Sequence, residues 1–272
     1  MKAAFFAFLF GACIVLFPAV AEETTVVEIP AGEIFSGIKI NASGTNAGIT
    51  VIPAKPGETA VLQMLNVKGG MRFSDGTMIV EVQPAQTTGR YHFNSFGFVI
   101  GRQEEITLRL PLDSLDSVDL ETRNGWIRIE DMDFTEGTLF TRNGGFRLKN
   151  ANFSRGSLTA RNGTIRLIDT GWDTLDASTR NGIVNISGAR AGEGSTSVRT
   201  RNGPVHLGIL GNEDDFSYTI TTSNGPIYVN GGHTTVRRSG DRNNILEGGT
   251  GAHQISIQTG NGRANLEFEK GV

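Results

Sequence analysis

The feature that most constrains the fold of this chain is a repeated Asn-Gly pair. Its asparagines are Asn124, Asn143, Asn162, Asn181, Asn202, Asn224 and Asn261. The successive gaps are 19, 19, 19, 21, 22 and 37 residues. The last gap contains Arg242-Asn243-Asn244, which divides it into 19 and 18 residues and adds a degenerate copy, with Asn244 replacing a glycine that needs positive φ. A fixed period of this length indicates a repeat architecture, here with eight copies between residues 113 and 270.

Apolar residues recur at fixed positions on both sides of each Asn-Gly pair. Four residues before the asparagine stand Leu120, Leu139, Leu158, Ala177, Val198, Ile220 and Ile257. Three residues after it stand Ile127, Phe146, Ile165, Val184, Val205, Ile227 and Ala264. Because apolar positions alternate with period two on either side of the pair, each copy is predicted to be strand, turn and strand, with one buried face per strand.

Two arrangements of such units are consistent with the alternation. Asn-Gly between alternating strands is a strong hairpin signal, which favours a stack of antiparallel hairpins. A parallel solenoid instead places each coil on the previous one at about 4.8 Å, so that equivalent residues touch. Only the second arrangement requires the same residue type in the same column of every copy. We therefore predict an all-β, single-chain parallel β-solenoid with coils of about 19 residues, in which the asparagines form a hydrogen-bonded ladder.

The N-terminal part of the chain lacks this period. Residues 1–21 contain an apolar run and then Ala19-Val20-Ala21, the layout of a secretory signal peptide that is cleaved after Ala21. An uncleaved membrane anchor is the alternative, because the run is long enough to span a bilayer. Residues 22–112 keep strand patterns and are predicted to form irregular first coils and a β cap over the open sheet edge. Residues 113–270 are then the repeat solenoid.

Two segments carry a family resemblance: Ile106-Thr107-Leu108-Arg109-Leu110-Pro111, and Leu115-Asp116-Ser117-Val118-Asp119-Leu120-Glu121-Thr122 with Asn124-Gly125 after it. Together they resemble the bacterial "putative adhesin" β-strand-repeat family, and Ile255–Gly262 is similar to the final coil of that family. The resemblance covers residues 25–270. It implies a parallel β-solenoid and a domain of unknown function, and it names no ligand, because a fold does not by itself define a function.

Composition and residue spacing exclude several classes of function. The net charge of −3 gives no general affinity for nucleic acid or acidic membranes, and no segment after the leader is apolar enough to cross a membrane. Cleavage of the leader removes Cys13, the single cysteine, and with it any thiol nucleophile or disulfide. No metal and no cofactor are predicted, because the histidines form no metal-spaced pair; they are His92, His206, His233 and His253.

An enzymatic alternative rests on one acidic cluster. β-Helix scaffolds include polysaccharide lyases and hydrolases, and a glycoside hydrolase needs a pair of carboxylates across the bond to be cleaved. The densest acidic cluster is Glu213-Asp214-Asp215, in the connection between the fifth and sixth coils. Three adjacent acids between Gly and Asn residues are more typical of a solvated corner. The alternative function is therefore a β-helix enzyme that acts on an acidic polysaccharide, with one of these carboxylates as acid or base.

Two columns of arginine accompany the repeat. One directly precedes the asparagine and consists of Arg123, Arg142, Arg161, Arg180 and Arg201, with Arg242 in the degenerate copy. The other follows the asparagine by four residues and consists of Arg128, Arg147 and Arg166. Both are expected to face outward by strand parity. Residues 137–168 contain six bases and no Asp or Glu, so that stretch holds no compensating charge.

A ladder of planar, bidentate donors suits a polymer with regularly spaced carboxylates or phosphates, and a solvated face is the alternative. Trp126 and Phe140 also lie at outward positions and offer sugar-stacking surface, unless a corner or the cap covers them. We therefore expect an exported, non-enzymatic, adhesin-like binding or structural module of the bacterial cell envelope. Its expected location is the periplasm, the cell surface or the medium, and its expected ligand is an anionic polysaccharide or lipopolysaccharide.

Overall fold

The computed structural model describes residues 5–10, 13–18, 23–30, 35–84, 103–111, 114–230, 232–233, 237–239 and 243–270. Their regular secondary structure consists of strands, apart from one short 3₁₀ helix at Glu213–Asp215. Among them, no helix has the length and apolar character that a membrane crossing needs. Arg242, His92 and the predicted cleavage site after Ala21 lie outside the described residues.

The strands fall into an N-terminal, a central and a C-terminal group. The first group is β1 (Phe5–Phe10), β2 (Cys13–Pro18), β3 (Thr24–Glu28), β4 (Gly37–Ala42), β5 (Gly48–Pro53), β6 (Val61–Leu65), β7 (Val67–Ser74), β8 (Thr77–Pro84) and β9 (Glu105–Leu110). The second is β10 (Ser114–Thr122), β11 (Ile127–Glu130), β12 (Asp133–Thr141), β13 (Phe146–Lys149), β14 (Asn152–Asn162), β15 (Ile165–Ile168), β16 (Gly171–Asn181) and β17 (Val184–Asn202). The third is β18 (Val205–Leu210), β19 (Phe216–Thr222), β20 (Ile227–Val229), β21 (Gly232–His233), β22 (Arg237–Ser239), β23 (Asn243–Gly249), β24 (His253–Asn261) and β25 (Ala264–Glu269).

The repeat stacks its strands in parallel on two faces that meet at the Asn-Gly corners. The front face holds the strands before the corner, in the spatial order β8, β4, β10, β12, β14, β16, the second half of β17, β24 and β19. The back face holds the strands after it, in the order β9, β5, β11, β13, β15, the first half of β17, β18, and then β25 and β20. The predicted all-β, mostly parallel stack is therefore confirmed. The hairpin alternative is wrong, because the strands flanking each corner pair with other coils and not with each other.

The core lies between the two faces and is built from the predicted apolar columns. Leu120, Leu139 and Leu158 stack in register and are at most 1% exposed. The facing column is buried to the same degree and contains the large ring of Phe146. Three buried rings on consecutive coils continue the stack at the corner where a back-face strand leads into the next front-face strand. The ring centroids of Phe134 and Phe153 lie 5.1 Å apart, and those of Phe153 and Trp172 lie 6.0 Å apart. Burial of equivalent side chains in every coil gives one continuous core.

The order of the coils in space differs from their order along the chain. The last coil of the chain is inserted between the fifth and the sixth, because Ile257 pairs with Val198 on one side and with Ile220 on the other. A similar insertion occurs near the N-terminus, where β4 lies between β8 and β10. The simple expectation that successive copies stack successively is therefore wrong at the C-terminal end.

The degenerate copy at Asn244 does not form a parallel coil. β23 runs antiparallel to β19, with Asn244 opposite Thr222, and β22 continues this antiparallel pairing at the edge of the stack. Asn244 thus lies in an extended strand, where its side-chain amide donates to the Gly225 carbonyl at 3.1 Å. The prediction that this degenerate copy forms an additional parallel coil is wrong, because the chain doubles back along the sixth coil at this point.

Both ends of the described chain also contain antiparallel strands. β1 and β2 pair with each other in a separate two-stranded sheet, and cleavage after Ala21 stays a prediction. β6 pairs antiparallel with β9 on the back face, and β3 pairs antiparallel with β6. On the front face, β7 pairs antiparallel with β8. Strands of opposite direction therefore flank the parallel stack on its N-terminal side.

Candidate functional site

Most Asn-Gly corners are fixed by a buried threonine two residues before the asparagine; the corner at Asn162 has Ala160 there instead. Thr122 and Thr141 are fully buried, and their hydroxyls donate to carbonyl oxygens of the neighbouring coil: Thr122 to Ala47 at 2.7 Å and Thr141 to Gly125 at 3.2 Å. Thr179, Thr200 and Thr259 repeat this contact in later coils. A buried hydroxyl needs such a partner, since leaving it unpaired costs free energy. The threonine column therefore links one corner to the next.

The glycine of each corner is required by close approach and not by backbone dihedral angle. Of the seven glycines, only Gly203 has a positive φ, and its 159° is almost extended. A Cβ on Gly144 would overlap the carbonyl oxygen of Gly125, and a Cβ on Gly163 would overlap that of Gly144. The expectation of positive φ at this position is therefore wrong. The stacked backbones leave no room for a side chain there.

The predicted asparagine ladder is confirmed and extends one coil further than the Asn-Gly motif. Each side-chain amide donates to the side-chain oxygen of its neighbour, for example Asn143 to Asn124 at 2.6 Å and Asn162 to Asn143 at 2.7 Å. The spatial sequence of the ladder is Asn46, Asn124, Asn143, Asn162, Asn181, Asn202, Asn261 and Asn224. The ladder fixes the corner residues of successive coils in register.

At five of the corners, the residue that precedes the asparagine is an arginine that faces solvent. We call the five exposed arginines at this position the arginine corner: Arg123, Arg142, Arg161, Arg180 and Arg201. They belong to five consecutive coils in space, because β10, β12, β14, β16 and β17 pair in that order. The backbone is held along the row as well, since the amides of Arg142 and Asn143 both donate to the Arg123 carbonyl, at 3.1 and 2.9 Å. The predicted outward column is confirmed as a continuous row of exposed cations.

The arginine corner is not paired with acidic side chains within the described part of the chain. None of its five members forms a salt bridge there, whereas other exposed arginines do. Arg199, for example, places its Nη2 atom 2.6 Å from Asp176 on the front face. Neighbouring members have backbones about 4.8 Å apart, at which two charges repel by roughly 0.9 kcal/mol in bulk water. An anion bound along the row relieves this repulsion.

The second arginine column differs from the corner in its charge balance. Arg128, Arg147 and Arg166 pair in register on the back face, as predicted. Glu130 lies beside two of them, with its Oε1 atom 3.7 Å from the Nε of Arg128 and 3.6 Å from the Nε of Arg147. These three arginines therefore flank the corner with part of their charge compensated.

The inference from the acid-free stretch 137–168 needs correction. Arg147 has Glu130 as a neighbour and Arg155 forms an ion pair with Glu136. Both acids precede the stretch in sequence, but they lie on the adjacent coil in space. Arg142 and Arg161 remain without such a partner among the described residues. Lys149 and Arg166 also form no salt bridge in the described part of the chain, so uncompensated charge is present both at the corner and beside it.

The two candidate stacking residues differ in exposure. Trp126 is 49% exposed on the back face, directly after the first Asn-Gly corner. Phe140 is partly buried on the front face, where it pairs in register with Glu121 and Thr159. The expectation that a corner or cap covers Trp126 is therefore wrong. Trp126 is the better candidate for contact with a ligand.

The acidic cluster proposed for catalysis is largely engaged in local structure. Glu213 accepts hydrogen bonds from the Tyr218 hydroxyl at 2.5 Å and from the Asn230 side-chain amide at 3.1 Å. Burial, followed by the hydrogen bond to Glu213, raises the pKa of Tyr218 to about 12. Asp215 accepts from the backbone amide of Asn212 at 2.8 Å, and Asp214 is exposed. Glu213 therefore fastens the loop to the sixth coil, and Asp215 closes the turn within the loop.

Sequence reasoning missed a buried hydrogen-bonded chain at the inserted strand. Trp172 Nε1 donates to Thr196 Oγ1 at 2.7 Å, and the Thr196 hydroxyl is 2.8 Å from His253 Nε2. His253 Nδ1 is 2.8 Å from the Gly192 carbonyl oxygen, so Nδ1 carries the proton and Nε2 accepts from Thr196. Burial lowers the pKa of His253, and the bond to Gly192 and the charge of Asp173 partly oppose this. The sequence does hold a signal for this chain of hydrogen bonds, since His253 stands in an inward column of its strand. The structure pairs it there with Phe216.

No cluster of His, Cys, Asp and Glu that could hold a metal ion occurs among the described residues. His206 lies at an outward position on the back face, where its Nδ1 is 3.0 Å from the side-chain amide of Asn265. The side chain of His233 is not described.

The fold and the corner together define an all-β protein with a parallel repeat stack and a row of exposed cations. The chain belongs to the Toastrack family, DUF4097, whose model matches residues 35–230. The family resemblance seen in the sequence is thereby confirmed. The inserted last coil lies beyond the matched residues. No curated protein matches the chain.

Several solved structures are similar to this chain at low identity. A putative adhesin from Bacteroides fragilis NCTC 9343 is 12% identical, with 90% of this chain and 97% of that chain covered and a TM-score of 0.48. A putative adhesin from Parabacteroides merdae ATCC 43184 is 11% identical, with coverages of 89% and 95% and a TM-score of 0.42. A putative lipid binding protein from Parabacteroides distasonis ATCC 8503 is 13% identical, with coverages of 90% and 96% and a TM-score of 0.34.

Proposed function

We propose that this protein is an exported, non-enzymatic binding module of the bacterial cell envelope, and that its arginine corner binds an anionic polysaccharide or lipopolysaccharide. The observation that carries the proposal is the row of five exposed arginines on consecutive coils, with no salt-bridge partner in the described chain. The leader-like residues 1–21 support export. Residues 22–112 supply the irregular first coils and the cap that protects the edge of the 19-residue coils.

The spacing of the row suits a polymer and not a single small anion. Adjacent guanidinium groups extend from backbones about 4.8 Å apart, and each offers a planar pair of donors to a carboxylate, sulfate or phosphate. A contact made by one exposed cation is weak because water and salt screen it. Several contacts along one polymer add through a high effective concentration, so affinity depends on their number. Binding is therefore expected to weaken steeply as salt is raised.

The test compares two double variants that remove the same charge. Arg142→Gln/Arg161→Gln removes two members of the arginine corner. Arg155→Gln/Arg199→Gln removes two exposed arginines that already have acidic partners, Glu136 and Asp176. Binding of heparin and of lipopolysaccharide is measured at low and at physiological salt. We expect about a tenfold loss of affinity for the first variant, which is about 1.4 kcal/mol, and a much smaller loss for the second.

Equal retention by both folded variants contradicts the proposal, because the arginine corner is then only a solvated face. Equal losses contradict it as well, since net charge and not the row then decides affinity.

The enzymatic alternative is tested by incubation with pectin, alginate and glycosaminoglycans, followed by a reducing-end assay. Turnover that disappears in Asp214→Asn would replace the binding module by an enzyme.

A further inference from the structure

Trp126 stands at the start of an outward row of mostly small side chains on the back face. The row continues through Gly145, Thr164 and Ile183 on the next three coils, as the backbone bonds from Ile127 to Gly145 and from Phe146 to Thr164 show, both at 2.9 Å. The indole is therefore the largest side chain on this part of the surface. Its 49% exposure leaves one side of the ring system available to a ligand.

The indole of Trp126 packs against the backbone at Gly145. A Cβ at Gly145 would meet the Cζ3 and Cη2 atoms of Trp126 at 2.7 and 2.8 Å, so the six-membered ring lies over the backbone of the second coil. A Cβ there would also overlap the Thr164 carbonyl oxygen, so Gly145 makes room both for the indole and for the backbone of the next coil. A large aromatic ring fixed against backbone loses little conformational entropy on binding a partner.

Arginines lie on both sides of this platform. Arg123 and Arg142 belong to the arginine corner and precede the row of Trp126 in their coils. Arg128 follows Trp126 by two residues on the same face of the strand, and Arg147 pairs with Arg128 on the next coil. Glu130 approaches both of these through Nε and not through their terminal amino groups. A ring that stacks on Trp126 therefore has arginine side chains on both sides.

These features select one class of ligand within the proposed function, on which the inference rests. The C–H face of a pyranose packs on the negative face of an aromatic ring, and guanidinium groups bind carboxylate or sulfate substituents of the same sugar. We propose that Trp126, seated on Gly145, is a stacking subsite for a pyranose ring of an acidic polysaccharide. A polyanion without sugar rings gains only the arginine contacts. The subsite thus separates acidic sugars from other anionic polymers.

The experiment uses two probes of similar charge, a heparin hexasaccharide and an inorganic polyphosphate of matching chain charge. Trp126→Ala should weaken hexasaccharide binding about fivefold, which is about 1 kcal/mol, because the stacking contact is lost, and should leave polyphosphate affinity unchanged. Gly145→Ser should weaken the hexasaccharide similarly by displacing the indole. Arg142→Gln/Arg161→Gln should weaken both probes. The hexasaccharide should also protect Trp126 from a soluble quencher, with buried Trp172 as the unresponsive reference.

The results distinguish failure of the sugar subsite from failure of the proposed function. If the folded Trp126→Ala and wild-type proteins bind the hexasaccharide equally while the arginine variant fails, the subsite is refuted and the arginine corner stands. If Trp126→Ala weakens both probes equally, the residue acts on the surface generally and the sugar subsite is refuted. If wild type binds neither probe, the proposed function and the subsite both fail.

Discussion

Replacing Gly163 by alanine tests whether the corner glycines are there for close approach. A Cβ at this position would overlap the carbonyl oxygen and carbon of Gly144, which are backbone atoms. The coils on both sides are tied here, because the backbone N–H of Asn162 donates to the Arg142 carbonyl oxygen at 2.8 Å and that of Gly163 donates to the Asn181 carbonyl oxygen at 3.1 Å. Relief of the overlap must separate two coils.

The expected cost follows from these contacts. Overpacking of a tightly packed site costs about 1–3 kcal/mol, and weakening two backbone hydrogen bonds adds about 1 kcal/mol each. Gly163→Ala should therefore destabilise the protein by about 3–5 kcal/mol. Urea denaturation followed by far-ultraviolet circular dichroism measures this change. Gly70→Ala is the matched control, since Gly70 lies in β7 and a Cβ there meets nothing within 4 Å. A Gly163→Ala midpoint within error of wild type would refute the close-approach argument.

Two pH dependences follow from the buried titratable groups. The pKa of His253 is lowered by burial below the unfolded value of about 6.5, so the unfolded chain takes up the proton first and stability falls as pH drops below about 6.5. Tm measured between pH 8 and 5 should decline in wild type and stay flatter in His253→Gln; equal slopes contradict this. The pKa of Tyr218 is raised to about 12, so the folded chain keeps its proton longer and stability falls as pH rises above about 10. Tyr218→Phe should lose that alkaline decline in Tm, and an unchanged profile contradicts the role of the buried phenol.

The parts of the fold that the sequence predicts are those that every coil repeats. In a parallel stack, identical columns touch, so one alignment reveals the inward leucines, the asparagine ladder and the exposed arginines together. Asn143 and Arg142 illustrate this: one joins the ladder and the other faces solvent, as their column predicts. Local alternation decides which way each side chain points, and local alternation is visible in a single sequence.

The order of the coils is not visible in the same way. Ile257 fits against Val198 and against Ile220 because all three belong to one apolar column, so any two coils are nearly equivalent as neighbours. Contacts between coils also make the ion pairs invisible in the sequence. Arg155 and Glu136 meet across coils, and a count of charges along a sequence window separates them. The need for glycine at the corners is hidden for the same reason, because the backbone that crowds each glycine belongs to another coil.

The inserted last coil has a mechanical consequence. β24 is bonded to β17 on one side and β19 on the other, and β25 is likewise bonded to both β18 and β20. A terminal coil at the edge of a stack would peel away through one ladder of hydrogen bonds on each face. Tension on the C-terminus of this chain instead loads two ladders on each face at once. A tether attached there would pull on the interior of the stack before any edge strand bears the force.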